Sequence, residues 1–207
     1  MPAKVQVVFN SLYGHVWRLA EAVADGARQA GAQVELLQVA ETLPAEVIAK
    51  MGATDAKKAF AHVPVADPRK LADADAIILG SGTRFGGATA QMRAFIDQTG
   101  PLWSAGSLIG KVGSAFTSTA SQHGGQETTL QNLHNFFFHQ GLVIVGVPYG
   151  AQELLNMNEI TGGTPYGAST VTGAQGQRLP SDNELAIARY QGKHTAEVAA
   201  KLVAGKA

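Results

Sequence analysis

The hexapeptide Asn10-Ser11-Leu12-Tyr13-Gly14-His15 joins an apolar run, Val5 to Phe9, to a helical pattern that starts at Val16. A strand passing straight into a helix aims backbone N–H groups and the positive end of the helix dipole at one point, which suits a phosphate. This loop is hydroxyl-rich with one glycine, and the chain contains neither G-x-G-x-x-G nor G-K-[ST], so the familiar dinucleotide and triphosphate loops are set aside. Two readings remain: a cradle for the single phosphate of a mononucleotide such as FMN, or a plain polar strand-to-helix turn.

Two further loops bear on that choice. Gly80-Ser81-Gly82-Thr83-Arg84-Phe85-Gly86-Gly87 follows a third apolar run, and Thr117-Ser118-Thr119-Ala120-Ser121-Gln122-His123-Gly124-Gly125-Gln126 follows a fourth. A planar cation and an aromatic ring between glycines suit a flat, electron-poor ring system, although such glycines also serve tight helix packing and the third loop also reads as solvated surface. Three polar loops converging on one crevice favour a ligand. Trp103 is either a partly buried anchor or one wall of a stacking site. His139 either complements a helix C-terminus or approaches a cofactor edge. His15 is a cofactor contact or loop polarity, and His62, His123, His134 and His194 are expected on the surface. No pair of histidines has zinc-ligand spacing, so no metal is expected. With no G-x-S-x-G, no H-E-x-x-H and no triad partner for Ser11, hydrolysis is unsupported.

The elements that must position these loops are short and repetitive. Apolar runs at Val5 to Phe9, Val34 to Val39, Ala76 to Leu79, Gly113 to Phe116 and Leu142 to Val147 are continuous rather than alternating, as expected of strands covered on both faces. Helical patterns lie between them: Val16, Leu19, Ala20, Val23 and Ala27 up to Gly31, then about Thr89 to Gln98 and about Gln126 to Gln140. A last helix is announced by the capping box Ser181 to Glu184 and carries Leu185, Ala188, Gly192, Thr195, Ala199 and Leu202 on one seam, small residues that imply close packing on the sheet. The pattern predicts an α/β, doubly wound, five-stranded parallel sheet in the flavodoxin-like order 2-1-3-4-5, helices on both faces, with a crevice at the carboxyl ends of the strands. Two connections are long. Residues 40–73 show only one short helical stretch, Pro44 to Met51, and residues 148–180 show no periodicity.

Length and composition set bounds. The 207 residues are expected to form one domain, 1–207, with a long insertion at about 148–180 after the fifth strand. Sixteen Lys and Arg balance sixteen Asp and Glu, so no net field recruits nucleic acid. Without cysteine there is no disulfide, thiolate chemistry or iron–sulfur cluster, and redox chemistry needs a borrowed cofactor. No signal-type segment or 18-residue apolar stretch is present, which leads to the expectation of a cytoplasmic protein without integral membrane association.

At these residues the chain resembles the flavodoxin-like NAD(P)H:quinone oxidoreductases named after the tryptophan repressor-binding protein. The resemblance runs through Ser11 to His15, Thr83 to Gly86, Asp97 to Gly100, Leu102-Trp103, Gly124 to Glu127, Gly162 to Ala168 and Ala188 to Gly192, in that order. It implies noncovalent FMN, its phosphate held by Ser11, Leu12, Tyr13, Gly14, His15 and Val16 and its ring by Thr83, Arg84, Phe85, Ser118, Thr119, Ala120 and Ser121. It further implies that Tyr13 lies on the NADH or NADPH side and Trp103 on the quinone side, and that His139 approaches the flavin from a neighbouring subunit of a homotetramer, where it shapes the site more than it serves as an obligatory acid or base. In that tetramer, residues 148–180 would make subunit contacts. Two positions depart from the family. Gly82 stands where relatives usually have proline, which implies a looser loop and weaker flavin binding. Ala120 and the extra Gln122-His123 alter the third loop, and with it the quinone preference. The activity implied is two-electron transfer from NAD(P)H to quinones with ping-pong kinetics. Two rivals stay open: a flavodoxin-type electron carrier, disfavoured by the balanced charge, and an FMN-binding regulatory protein without significant turnover.

Overall fold

The computed structural model describes residues 2–205. In chain order its elements are β1 (Lys4–Asn10), α1 (His15–Gln29), β2 (Gln33–Gln38), α2 (Ala45–Lys50), α3 (Thr54–Ala59), β3 (Ala76–Arg84), β4 (Gly87–Ala88), α4 (Ala90–Asp97), α5 (Gly100–Ser104), β5 (Val112–Thr119), α6 (Gln126–Gln140), β6 (Val143–Ile144), β7 (Ser169–Val171) and α7 (Asp182–Ala204), with 3-10 turns at Pro68–Asp73 and Gln152–Leu155. The sheet runs β2-β1-β3-β5-β6, all parallel, which is the expected order once the small β3–β4 hairpin is set aside.

Alternate residues of each central strand feed opposite cores. Val5, Val7 and Phe9 of β1 and Ala76 and Ile78 of β3 pack with Leu19, Val23, Ile187 and Ala188 of α1 and α7. Val8, Ile77, Leu79 and Ala115 face Met92, Phe95, Leu130, Leu133 and Phe137 of α4 and α6. Because side chains alternate between faces, apolarity on both faces produces the continuous runs seen in the sequence. The carboxyl ends of the parallel strands, and hence the three polar loops, emerge on one side.

Helix α7 opens with the expected capping box between Ser181 and Glu184. Its buried seam is Glu184, Ile187, Ala188, Gln191, Gly192, Thr195, Ala196 and Ala199, while Leu185 is half-buried and Leu202 exposed. The small residues bring it against α1 as well as the sheet: a Cβ on Gly192 would stand 1.9 Å from the Val23 carbonyl oxygen, and one on Gly26 would stand 1.8 Å from that of Arg189.

Both long connections hold more structure than their sequences indicate. Residues 40–73 contain α3 and a 3-10 turn besides α2. The weakly periodic α3 is anchored by its C-terminal neighbour Phe60, whose ring is buried against Phe9 and Trp17 with centroids 5.7 and 5.5 Å apart. Residues 148–180 return to the sheet as β7, which pairs with Thr117–Thr119 of β5, whereas β6 pairs only with Val112 and Gly113. The fifth position is thus shared by two short strands with the intervening chain looped out between them. Gln191 bridges the gap: its amide Nε2 donates to Ser114 Oγ and the Ala115 carbonyl, both at 2.7 Å, and Oε1 accepts from the Ala168 N–H at 2.9 Å. Among the described residues no helix is long and apolar enough to cross a membrane.

Candidate functional site

Strand β1 delivers Asn10 to the sheet edge, and Ser11 Oγ accepts the Gly14 N–H at 3.1 Å, folding the loop back on itself. Gly14 has φ +90°, a left-handed conformation costly for residues with a Cβ, and it lets α1 begin at once with His15. The N–H groups of the first turn of α1 have no intrahelical acceptor and point out of the helix start. The β3 loop is fixed through Thr89: its Oγ1 donates to Asn10 Oδ1 at 2.9 Å and its N–H donates to Ser81 Oγ at 3.0 Å. Thr129 Oγ1 on α6 donates to Thr83 Oγ1 at 2.8 Å, and Gln126 Nε2 donates to Thr119 Oγ1 at 3.1 Å, so α6 orients both remaining loops.

Together these loops enclose a cavity of about 530 Å³ lined by Ser11, Leu12, Tyr13, His15, Val16, Thr83, Arg84, Ser118, Thr119 and Ala120. All ten were expected there. Asn10 and Gly82, members of the first and second loops, line it too, and Met51, Gly52, Thr89 and residues 172–176 do so without having been foreseen. Met51 comes from the connection between α2 and α3, and its carbonyl accepts the Tyr13 hydroxyl at 3.2 Å. The stretch Thr172-Gly173-Ala174-Gln175-Gly176 comes from the long segment expected to serve subunit contacts; its glycines and polar residues were the only signal, and they matched the other loops in kind.

The other expected residues stand elsewhere. Gly14 and Ser121 are not on the cavity lining: Gly14 shapes the first turn, and the exposed Ser121 has its carbonyl accepting the Thr119 hydroxyl at 2.7 Å. Phe85, at φ +51°, extends fully into solvent from the tip of the β3–β4 hairpin. Trp103, on α5, is 62% exposed and outside the cavity. His139 is exposed in the last turn of α6, about 20 Å along the helix from its first turn beside the cavity. His134, expected on the surface, is buried against Phe137, because α6 turns that face to the sheet. A Cβ at Gly82 would meet Ser118 Oγ at an ordinary 3.5 Å, so that position is open to a side chain.

Electrostatically the cavity favours an anion. Among the described residues lining it, Arg84 is a cation and no Asp or Glu is present. His15 Nε2 donates to the Gly176 carbonyl at 3.0 Å. Burial pushes the imidazole below its ordinary range, a shift that the Gly176 bond only partly offsets. A helix start, hydroxyls and glycines without carboxylates fit a phosphate-bearing planar group such as FMN. No three His, Asp or Glu side chains come together as a metal-ligand set among the described residues.

Comparison with known proteins agrees with this chemistry. Residues 3–153 match the family model for NADPH-dependent FMN reductase. The chain belongs to that family. A Trichlorobacter lovleyi protein named NAD(P)H dehydrogenase (quinone) is 58% identical over 203 residues, covering 98% of this chain and 100% of the relative. A protein of the same name from Aromatoleum aromaticum is 57% identical, covering 99% of each chain. Among solved structures, the flavodoxin, WrbA-like protein from Agrobacterium tumefaciens superposes with a TM-score of 0.65 at 27% identity, covering 96% of this chain and 98% of the other.

Proposed function

We propose that this chain is an FMN-dependent oxidoreductase that passes two electrons from NADH or NADPH to a quinone. The observation that carries the reading is its identity of 54 to 58%, over nearly its whole length, with relatives named NAD(P)H dehydrogenase (quinone). The carboxylate-free cavity at the start of α1 supports it. FMN held there noncovalently supplies hydride acceptance and the return of two electrons.

The protein's own residues bind and orient. The loop Ser11 to Val16 meets the phosphate with N–H groups and the positive helix end, and Thr83 and Arg84 with Ser118, Thr119 and Ala120 hold the ring, while Phe85 and Ser121 flank them from outside the cavity lining. Tyr13, tied to Met51 at the cavity mouth, bounds the nicotinamide side. Trp103 and His139 are exposed outside their own chain's cavity, which suits service across an interface: Trp103 on the quinone side and His139 at the flavin of a neighbouring copy in a homotetramer. The chain acts as a single domain in the cytoplasm, a compartment that a cysteine-free protein suits. On this proposal both substrates stack in turn on the same flavin face, so oxidised nicotinamide would leave before quinone enters, and double-reciprocal initial-rate plots at several quinone concentrations should be parallel.

Anaerobic stopped-flow tests the reading. The FMN-loaded protein is mixed with NADH or NADPH and then with benzoquinone while flavin absorbance is followed. Rapid loss and rapid recovery of the flavin band are expected; a protein that holds FMN but is bleached by neither nicotinamide is an electron carrier instead.

A further inference from the structure

Residues 172–178, which follow β7, fold into a closed hairpin. The Thr172 N–H donates to the Thr119 carbonyl, the Arg178 N–H to the Thr172 carbonyl (both 2.8 Å) and the Gly176 N–H to the Gly173 carbonyl at 3.0 Å. Its tip reaches across to α1, where the Gly176 carbonyl accepts His15 Nε2 at 3.0 Å. His15 is the first residue of α1, so the tip stands over the end of the cavity that faces the helix start.

The base of the hairpin rests on an ion pair whose carboxylate is fully buried. Arg178 Nη1 donates to Glu184 Oε1 and Oε2 at 2.9 and 2.8 Å and to the Val171 carbonyl at 2.6 Å, while Nη2 donates to the Ile160 carbonyl at 2.8 Å. Glu184 has no solvent exposure, and its carboxylate also accepts from the N–H groups of Gly162, Val171 and Ser181 and from Thr170 Oγ1. Such a fully satisfied buried carboxylate has one geometry, and a planar guanidinium is the group that can hold four acceptors at once. The hairpin is thereby tied at its tip to His15 and at its base to Glu184.

We propose that this hairpin is a fourth wall of the cofactor site, closing its phosphate end, and that Arg178 and Glu184 are the positioning residues that hold it there. The inference rests on the FMN reading. It makes Gln175, exposed and on the cavity lining, a position at which an introduced charge acts on the phosphate and not on the ring.

The test compares FMN with riboflavin, which carries the ring but no phosphate, in titrations of the flavin-free full chain at low salt. Gln175→Glu should weaken FMN about tenfold and Gln175→Lys should strengthen it, with riboflavin unchanged in both, because a charge near a phosphate acts through space and with opposite sign. Raising the salt should erase both effects. Arg178→Lys keeps the charge but loses the fork; it should weaken FMN severalfold and speed amide exchange at 173–177, again with riboflavin unchanged. Parental FMN affinity in both Gln175 variants, or equal shifts for FMN and riboflavin, overturns the wall. Parental FMN affinity in Arg178→Lys overturns the positioning role. A parent chain that binds neither flavin overturns the FMN reading itself, and the wall with it.

Discussion

Ser11, Gly14 and His15 work within five residues of one another, so their role could be expected from local order alone. His15 and His134 also carry a cost of burial: both imidazoles lie below their ordinary range chiefly because burial disfavours the charged form. The folded chain therefore prefers them neutral while the unfolded chain protonates them near pH 6.5. Their stabilising contribution is complete above that pH and is lost as pH falls through the lowered values. Thermal unfolding of the flavin-free chain should show stability declining on acidification, by no more than about 1.4 kcal/mol per histidine per pH unit. His134→Asn should flatten that decline. His134 was not expected to be buried, because which face of α6 meets the sheet depends on elements distant in sequence.

At the scale of elements, α1 and α7 approach until each presents a glycine to the other's backbone. Gly192→Ala should cost about 2 to 3 kcal/mol, since a Cβ 1.9 Å from a backbone oxygen forces the helices apart. Gly100→Ala, with nothing within 4 Å of the new carbon, should stay within about 0.5 kcal/mol of the parent. Chemical denaturation of the two variants checks both. The seam on α7 was visible as small residues at helical spacing, but its partner was not: Gly26 lies near the other end of the chain and belongs to an ordinary amphipathic pattern. The second helix of residues 40–73 is invisible in the sequence for a related reason, since α3 is anchored by the burial of Phe60 rather than by its own periodicity.

At the scale of the molecule, residues 148–180 leave Tyr149, Leu155, Met157, Ile160 and Leu179 exposed, apolar surface that a homotetramer would cover. If these residues form the interface, Met157→Glu should raise the dissociation constant of the assembly roughly 100-fold, the effect of about 3 kcal/mol for one buried unpaired carboxylate. Sedimentation velocity across a concentration series reads this directly. A parent chain that sediments as a monomer throughout would remove the tetramer and the cross-subunit role of His139.

The strand order, both-face burial and the three converging loops follow from short-range facts: continuous apolar runs, glycine and hydroxyl clusters at strand ends, and helical spacing between them. Tertiary structure alone decided what joins those loops. Met51 and residues 172–176 reach the cavity from the two long connections, because their conformations are set by distant partners, Tyr13 for one and His15 and Glu184 for the other. Sequence pattern reports what each segment buries; it carries no record of which carbonyl a hydroxyl or a guanidinium will meet across the fold.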